Sequence, residues 1–449
     1  MAAIAGCAVL LGCGEPEELL PGPRFDLRDP AFADADITQT VLPEQPARRV
    51  ALRGYAVTGE ARPLSLPAQR TNTSWTETNG GPQHWLPHPA LGANLTQVWS
   101  VPVGQTFGKR IRMTADPVIG GGRIFVLDAH AQLRALAPNG GLLWQRNLTP
   151  PTERTGEAAA GGLTYANGRI YVTTGYGVLH VLDATSGGTI WTQNLQAVPT
   201  AGPTVSDGLV YVTGRDGRGW ALDAADGRIS WQIDAGDPGS VFNTGASPAI
   251  AGRAVLFPFG TTELLAALRR GGVTLWSTNV SGERLGSAYA GITDVTGDPV
   301  VVGNTVYVAN PSGRVMAVNA TSGERIWTAE RGAYSAVWPA GGSLFLISDQ
   351  NELVRLDAAT GEIIWEATLP LYTRERVQRR FGIFAHYGPV LAGGRLIVVS
   401  SDRLMREIDP TNGRIIRTTQ LSAPAVRNPV VANGTLYVVT ADGRLHAFR

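Results

Sequence analysis

The stretch Val181–Trp191 reads VLDATSGGTIW, and three others repeat its pattern: Ala221–Trp231 (ALDAADGRISW), Val318–Trp327 (VNATSGERIW) and Leu356–Trp365 (LDAATGEIIW). All four share the frame hydrophobic-Asp/Asn-Ala-x-x-Gly-x-x-x-Trp. The Asp or Asn side chain can accept hydrogen bonds from the backbone amides that follow it, and the Gly supplies the positive φ that reverses the chain. The Trp then begins a new strand, where its flat ring can fill the gap between adjacent sheets. The motif therefore predicts a β-hairpin.

Further copies extend this motif along the chain. Ala135–Trp144 and Ala267–Trp276 are looser versions, and Ile408–Arg417 (IDPTNGRIIR) ends in Arg instead of Trp. A Gly turn and a β-branched strand precede the copies, as in Gly168–Val172 (GRIYV), so each unit has four strands. We call the Trp position of this motif the marker position. Counted from Trp99, it occurs eight times at intervals of 38 to 52 residues. This is the period of propeller blades.

The two ends of the repeat region complement each other. After the last marker the chain supplies only three more strands, Pro429–Ala432, Thr435–Thr440 and Leu445–Phe448. Leu95–Val103 (LTQVWSVPV) carries a marker Trp with no hairpin in front of it, so it can provide the missing strand and leave no open edge. We therefore predict an all-β fold over residues 91–449, an eight-bladed β-propeller of four-stranded blades, closed by an N-terminal strand that completes the last blade.

Composition excludes several kinds of function. The net charge of +1 over 449 residues gives no broad basic face, so nucleic acid is not an expected partner. The only two cysteines are Cys7 and Cys13, so the folded part can hold neither a disulfide nor a thiolate metal site. His84 and His88 have the i, i+4 spacing of a zinc pair on a helix, but the prolines around them disfavour a helix there. We expect no metal site and no cofactor.

The N-terminus has the features of a targeting segment. Ala2–Gly12 is uncharged and apolar, and residues 1–12 are predicted to be a signal peptide. Leu10 to Cys13 resembles the lipobox of bacterial lipoproteins, which makes Cys13 the predicted lipidation site; a second, weaker string ends at Cys7. No Lys or Arg precedes Cys13, which leaves open a start further upstream. Gly14 after the cysteine implies, by resemblance to other lipoproteins, sorting to the outer membrane.

Residues 13–90 open Pro-rich and show no sustained strand pattern, so they are predicted to form a lipid-anchored extended tether. Their later part contains Trp75, Trp85 and a Gly80-Gly81-Pro82 turn. These residues are apolar enough to pack on the propeller, so both a tether and a clasp remain open for this part.

The hairpin motif resembles the repeat of pyrroloquinoline quinone (PQQ)-type propellers. Together with the lipobox and a single propeller, the chain resembles the family of outer-membrane protein assembly factors called BamB. Leu20–Arg24 (LPGPR), Thr293–Val302 (TDVTGDPVVV) and Phe384–Gly394 (FAHYGPVLAGG) look like the alphaproteobacterial type of this family. The resemblance implies a non-enzymatic scaffold at the periplasmic face of the outer membrane. Its expected partner is the barrel-inserting subunit BamA, with other components of that machinery.

In this family, loops between neighbouring blades near the middle of the ring contact the partner. The corresponding loops here are Asp237–Thr244 (DPGSVFNT) and Ile292–Asp298 (ITDVTGD). Asp294 matches the family's acidic residue, and Val241 and Phe242 fall near its apolar residues. Asn243 stands about where the family has Arg. By resemblance, the candidate partner-binding residues in these loops are Val241, Phe242, Asn243 and Asp294.

One insertion adds positive charge. Leu371–Phe384 (LYTRERVQRRFGIF) places four arginines among aromatic residues. A solvated loop is one interpretation, and a surface for an acidic partner is the other, because Arg and aromatic residues are enriched in interface anchors. The candidate partner-binding arginines are Arg374, Arg376, Arg379 and Arg380.

Two alternative functions follow from the same fold. The PQQ-type propeller includes dehydrogenases that hold Ca²⁺ and the quinone and carry adjacent cysteines, but this chain has no Cys-Cys pair. Its repeat carboxylates, such as Asp183 and Asp223, occupy the turn position that the hairpin already explains. The other alternative is an envelope propeller with an unrelated protein partner.

Overall fold

The computed structural model describes residues 55–108, 111–158, 161–236, 245–282, 294–374 and 376–449. Two strands precede the repeats, β1 (Val57–Gly59) and β2 (Gln97–Pro102). Two short 3₁₀ turns lie at Thr78–Gly80 and Val377–Arg379. All of the described strands, including β1 and β2, belong to eight antiparallel sheets, the blades of a propeller.

The first four blades follow one another along the chain. Blade 1 consists of β3 (Val118–Gly120), β4 (Arg123–Leu127), β5 (Gln132–Leu136) and β6 (Leu142–Asn147). Blade 2 consists of β7 (Leu163–Ala166), β8 (Arg169–Thr173), β9 (Val178–Asp183) and β10 (Thr189–Asn194). Blade 3 consists of β11 (Thr204–Ser206), β12 (Leu209–Thr213), β13 (Arg218–Asp223) and β14 (Ile229–Asp234). Blade 4 consists of β15 (Ala249–Ala251), β16 (Ala254–Pro258), β17 (Glu263–Leu268) and β18 (Thr274–Asn279).

The remaining blades continue the series. Blade 5 consists of β19 (Gly297–Val302), β20 (Thr305–Asn310), β21 (Arg314–Asn319) and β22 (Arg325–Ala329). Blade 6 contains β23 (Trp338–Ala340), β24 (Ser343–Ile347), β25 (Glu352–Asp357) and β26 (Ile363–Thr368). Blade 7 consists of β27 (His386–Ala392), β28 (Arg395–Ser400), β29 (Leu404–Ile408) and β30 (Ile415–Gln420). Blade 8 contains β31 (Val430–Ala432), β32 (Thr435–Thr440) and β33 (Arg444–Phe448), with β2 as its fourth strand.

The predicted fold and its closure are confirmed. β2 pairs antiparallel with β33, with Trp99 opposite Ala447 and Val101 opposite Leu445. First strands of neighbouring blades contact each other, so they surround the central axis, and the fourth strands lie at the more exposed rim. Blade 6 departs from the four-stranded prediction, because β1 pairs with β26 and adds a fifth strand.

The hairpin motif forms as its residues predict. In blade 2 the carboxylate of Asp183 accepts hydrogen bonds from the amides of Thr185 (3.1 Å) and Ser186 (2.8 Å), and Gly187 has a φ of 68°. The Trp that follows reaches into the next blade: the indole of Trp191 donates to the carbonyl of Ala224 at 3.1 Å. The motif thus closes one hairpin and also joins two blades.

Each marker Trp ring also lies against the hairpin Gly of the following blade. A Cβ on Gly227 would come within 2.6 Å of the Trp191 ring, so this Gly is required twice, for its φ of 80° and for the close approach. The pairs are Trp99 with Gly140, Trp144 with Gly187, Trp191 with Gly227, Trp231 with Gly272, Trp276 with Gly323, Trp327 with Gly361 and Trp365 with Gly413.

The replacement of Trp by Arg417 has a physical reason. Blade 7 faces blade 8, whose outer hairpin does not exist because the two ends of the ring meet there. No hairpin Gly is available for a Trp ring to cover at that position. Arg417 instead donates to the side chain of Asn94, at 2.6 Å, in the segment that leads into β2.

Residues 72–92 lie across one mouth of the central channel, and we call this segment the plug. The indole of Trp75 stacks on Trp338 with ring centroids 6.1 Å apart. The plug makes hydrogen bonds to every blade: Asn72 with Val431 of blade 8, Trp75 with Ile119 of blade 1, Thr76 with Tyr165 of blade 2, Glu77 with Val205 of blade 3, Pro82 with Ile250 of blade 4, Gln83 with Val301 of blade 5, Trp85 with Pro339 of blade 6 and Pro89 with Gly393 of blade 7.

Two of the buried titratable side chains of the plug, Glu77 and His84, lie close together. Glu77 accepts a hydrogen bond from the amide of Val205 at 3.2 Å, and its other oxygen lies 4.0 Å from Nε2 of His84. The Nδ1 of His84 donates to the carbonyl of Pro299 at 2.9 Å, which leaves Nε2 without a proton in the neutral ring. Burial raises the pKa of Glu77 to about 8 and lowers the pKa of His84. The pair is therefore held mostly uncharged at neutral pH.

We predict that Gly227→Ala destabilises the protein more than Gly208→Ala. Both glycines have φ near 80°, so both changes incur roughly 1–2 kcal/mol of backbone strain. Only position 227 adds a clash with a Trp ring, whereas nothing lies within 4 Å of a Cβ at 208. Overpacking should add about 1–3 kcal/mol to the loss in the free energy of unfolding, measured by denaturant titration. Equal losses for the two variants would contradict the proposed role of the Trp–Gly contact.

We also predict a pH-dependent gain in stability for Glu77→Gln. In the folded protein Glu77 keeps its proton up to about pH 8, but in the unfolded chain it loses the proton near its ordinary pKa of 4.5. The stabilisation from this shift is complete below that lower value and is lost as the pH rises through about 8. Gln has no such dependence, so the variant should gain on the wild type between pH 5 and pH 8. A constant difference in unfolding free energy across that range would refute this prediction.

Candidate partner-binding face

The topology collects the inter-blade connections at one end of the ring. An inter-blade connection is the segment that links the outer strand of one blade to the first strand of the next. Because the four strands of each blade alternate in direction, all of these connections leave at the same end. The plug contacts the first strands near their other end, close to turn residues such as Gly393 and Asn433. The connections therefore surround the mouth that the plug does not cover.

The connection between blades 6 and 7 is described except for residue 375, and it forms a loop over residues 371–374 and 376–384. Tyr372 and Ile383 form a β-bridge, and the amide of Thr373 donates to the carbonyl of Gly382 at 2.9 Å. Asn351 of blade 6 anchors the base of the loop by donating to the carbonyl of Phe384 at 2.8 Å. The loop is thus a hairpin-like projection with backbone bonds of its own.

A buried histidine fixes the other side of this base. Nε2 of His386 lies 2.8 Å from the carbonyl of Pro370, and Nδ1 lies 2.7 Å from the hydroxyl of Ser400. Burial lowers the pKa of His386 to about 4, so the ring is neutral at physiological pH. The neutral ring donates its Nε2 proton to the carbonyl and accepts the hydroxyl proton at Nδ1. This histidine is a structural support of the loop.

The four predicted arginines divide into two groups. Arg374, Arg376 and Arg379 are exposed. Arg380 is buried, and its guanidinium lies 4.9 Å from the ring centroid of Tyr372. The first three are accessible to a partner, whereas Arg380 stiffens the loop by a cation–π contact.

Apolar side chains accompany the exposed arginines. Phe381 is 79% exposed and Ile383 is 62% exposed. Two other inter-blade connections add Tyr334 and Phe107, and the guanidinium of Arg112 lies 4.8 Å from the ring centroid of Phe107. Sequence reasoning noted aromatic residues around the arginines but did not select these four. Their position in connections, outside the repeat, was the available signal.

The remaining predicted residues have different outcomes. Val241, Phe242 and Asn243 lie outside the described residues, as does Cys13. Asp294 is described and buried, and its charge acts on the guanidinium of Arg215, whose pKa burial lowers. A buried carboxylate at this position is better placed to shape its loop than to contact a partner directly.

Aspartate and arginine side chains also tie the closing blade to blade 1 at this mouth. The carboxylate of Asp116 accepts from Nε of Arg427 at 2.7 Å and from the side chain of Asn428 at 2.9 Å.

Among the described residues, no group of three or more His, Cys, Asp and Glu side chains is placed to hold a metal ion. The described part of the chain also contains no helix with the length and apolar composition of a membrane span.

Comparison with known proteins identifies relatives of this chain. A family model described as outer membrane protein assembly factor BamB matches residues 129–367 and 374–449. Proteins of that name from Yersinia pestis and Salmonella typhimurium are 24% and 26% identical to it over 79% and 78% of this chain, and in each case 88% of the relative is covered.

Solved structures share the fold. The crystal structure of BamB from Moraxella catarrhalis matches with a TM-score of 0.66 and 20% identity, covering 79% of this chain and all of that one. A europium-containing methanol dehydrogenase matches with a TM-score of 0.62 and 15% identity, covering 82% of this chain and 89% of the enzyme. At these identities both structures show the propeller and nothing of its activity. The plug lies outside the residues that the family model matches.

Proposed function

This chain belongs to the BamB family of outer-membrane protein assembly factors, and on that premise we propose that it is a non-enzymatic scaffold of the outer-membrane β-barrel assembly machinery. In this proposal it docks on the BamA-like barrel-inserting subunit and assists the folding and insertion of outer-membrane proteins. Cys13 carries the lipid that holds the protein at the periplasmic face of the outer membrane. The family match over most of the ring carries the proposal.

The inter-blade connections together form one face of the ring, which we call the inter-blade face. This face is the proposed docking surface. It combines exposed Phe381 and Ile383 with the charges of Arg374, Arg376 and Arg379 on a loop held by backbone hydrogen bonds. Aromatic residues and arginines are enriched at protein interfaces, and an ordered loop loses little conformational freedom on binding. A partner surface with an apolar patch and acidic rim would complement it. Val241, Phe242 and Asn243, which lie outside the described residues, join the proposal by resemblance to the family alone.

The dehydrogenase alternative rests on the shared fold alone. The sequence lacks the adjacent cysteines of those enzymes, and the plug fills one mouth of the channel with Trp75, Glu77 and His84. The repeat carboxylates of Asp183, Asp223 and Asp357 accept hydrogen bonds from backbone amides of their own hairpins. These observations favour a scaffold.

We predict that reversing the three exposed loop charges weakens docking. The variant Arg374→Glu/Arg376→Glu/Arg379→Glu should recover roughly tenfold less barrel-inserting subunit when the tagged protein is purified from detergent-solubilised envelopes at low salt. The loss follows from placing like charges opposite an acidic rim.

The matched control is Arg228→Glu/Arg325→Glu/Arg414→Glu, which changes net charge equally at exposed hairpins of the opposite end. This control should recover the subunit as the wild type does. If neither the wild type nor the control recovers it, the assembly proposal is wrong; if the loop variant recovers as much as the control, the docking face is wrong.

A further inference from the structure

Blade 4 departs from the repeat at positions where most other blades agree. Leu268 stands where blades 2, 3, 5, 6 and 7 have the hairpin Asp or Asn, and Arg269 stands at the following Ala or Pro position. Arg270 comes next in the same hairpin. In the turn between the first two strands, Arg253 replaces a Gly that six other blades carry with positive φ. The hairpin's usual negative charge has thus become a cluster of positive ones.

All of these departures meet in one place. A cavity of about 200 Å³ opens between blades 3 and 4, at the end of the ring that carries the first turns and the outer hairpins. Its walls on the blade 3 side include the apolar Leu209 and the ring of Tyr211. The complete lining is Asp207, Leu209, Tyr211, Arg253, Leu268, Arg269 and Arg270.

Hydrogen bonds fix the floor of the cavity. The guanidinium of Arg269 donates to the carboxylate of Asp207 and to the hydroxyl of Ser206, at 3.0 Å from the latter. The phenol of Tyr211 donates to the carbonyl of Arg269 at 3.4 Å. Asp207 is the one acidic group in the lining and is paired with Arg269. The charges of Arg253 and Arg270 therefore remain uncompensated by the lining residues.

We propose that this cavity binds a phosphate monoester. Three arginines and one aspartate give the lining a net charge of +2, which matches a phosphate monoester dianion better than a single carboxylate. Guanidinium groups present paired N–H donors that match phosphate oxygens, and Arg253 and Arg270 face the cavity from two different blade 4 turns. Leu209, Leu268 and Tyr211 supply an apolar wall for the organic part. The volume holds about six water molecules, enough for a phosphate group with a small substituent.

The test is isothermal titration calorimetry of the full chain with glycerol phosphate and with inorganic phosphate. Arg253→Gly restores the residue of the other blades, and Leu268→Asp restores the hairpin carboxylate, so both variants follow the repeat and should fold. Each should lower the affinity for glycerol phosphate by roughly tenfold or more. Arg325→Ala removes an exposed arginine from the hairpin of blade 5 and should change the affinity less than twofold.

The source of the monoester is resolved by a parallel titration with dihexanoyl phosphatidic acid, with dihexanoyl phosphatidylcholine as its control. An affinity for the phosphatidic acid tenfold above that for glycerol phosphate assigns a lipid headgroup, and equal affinities assign a soluble ligand. Thermal unfolding of each variant checks that the fold is intact. No measurable binding of any monoester, equal affinity in wild type and Leu268→Asp, or tighter binding of an acidic peptide would overturn the proposal.

Discussion

The contact between a marker Trp and the hairpin Gly of the next blade is the constraint on which the ring depends. It joins two blades by stacking and by an indole hydrogen bond, as between Trp191 and the Gly227 hairpin. Only Gly satisfies both the left-handed φ and the close approach of the ring. Because seven described interfaces use the same contact, the blades take one spacing and one orientation around the axis. The connections are thereby collected at one mouth, which creates the candidate docking face.

The exception supports this account. Where the ring closes, the chain ends replace a hairpin, and the marker there is Arg417, which bonds to Asn94. The plug adds a second kind of tie, because its backbone and side chains together form hydrogen bonds to the first strands or first turns of all eight blades. The stability of the plug is thus linked to the protonation of Glu77 and His84. The interfaces between blades depend instead on the Trp–Gly contacts and on indole hydrogen bonds to backbone carbonyls.

Sequence reasoning predicted the elements that repeat. The turn Asp, the positive-φ Gly and the closing strand at Trp99 follow from local chemistry and from counting strands. The second role of the Gly was missed, since contact between blades is not visible in one hairpin. The plug and β1 were not predicted from the sequence. Their hydrogen bonds go to successive blades around the ring, so their residues show no repeating pattern along the chain. The burial of Arg380 and Asp294 was also missed, because a charged residue in a loop is expected to be exposed. Only the three-dimensional structure shows the neighbours that cover it, such as Tyr372 beside Arg380.

The central functional claim is that the partner covers the inter-blade face. Hydrogen–deuterium exchange of the protein, free and in complex with the purified barrel-inserting subunit, measures this most directly. We expect protection to concentrate in peptides from residues 371–384 and from the connection around Phe107, with no change at the outer hairpins around Gly227 and Gly323. Protection confined to those hairpins or to the plug, with the loop exchanging as in the free protein, would contradict the account.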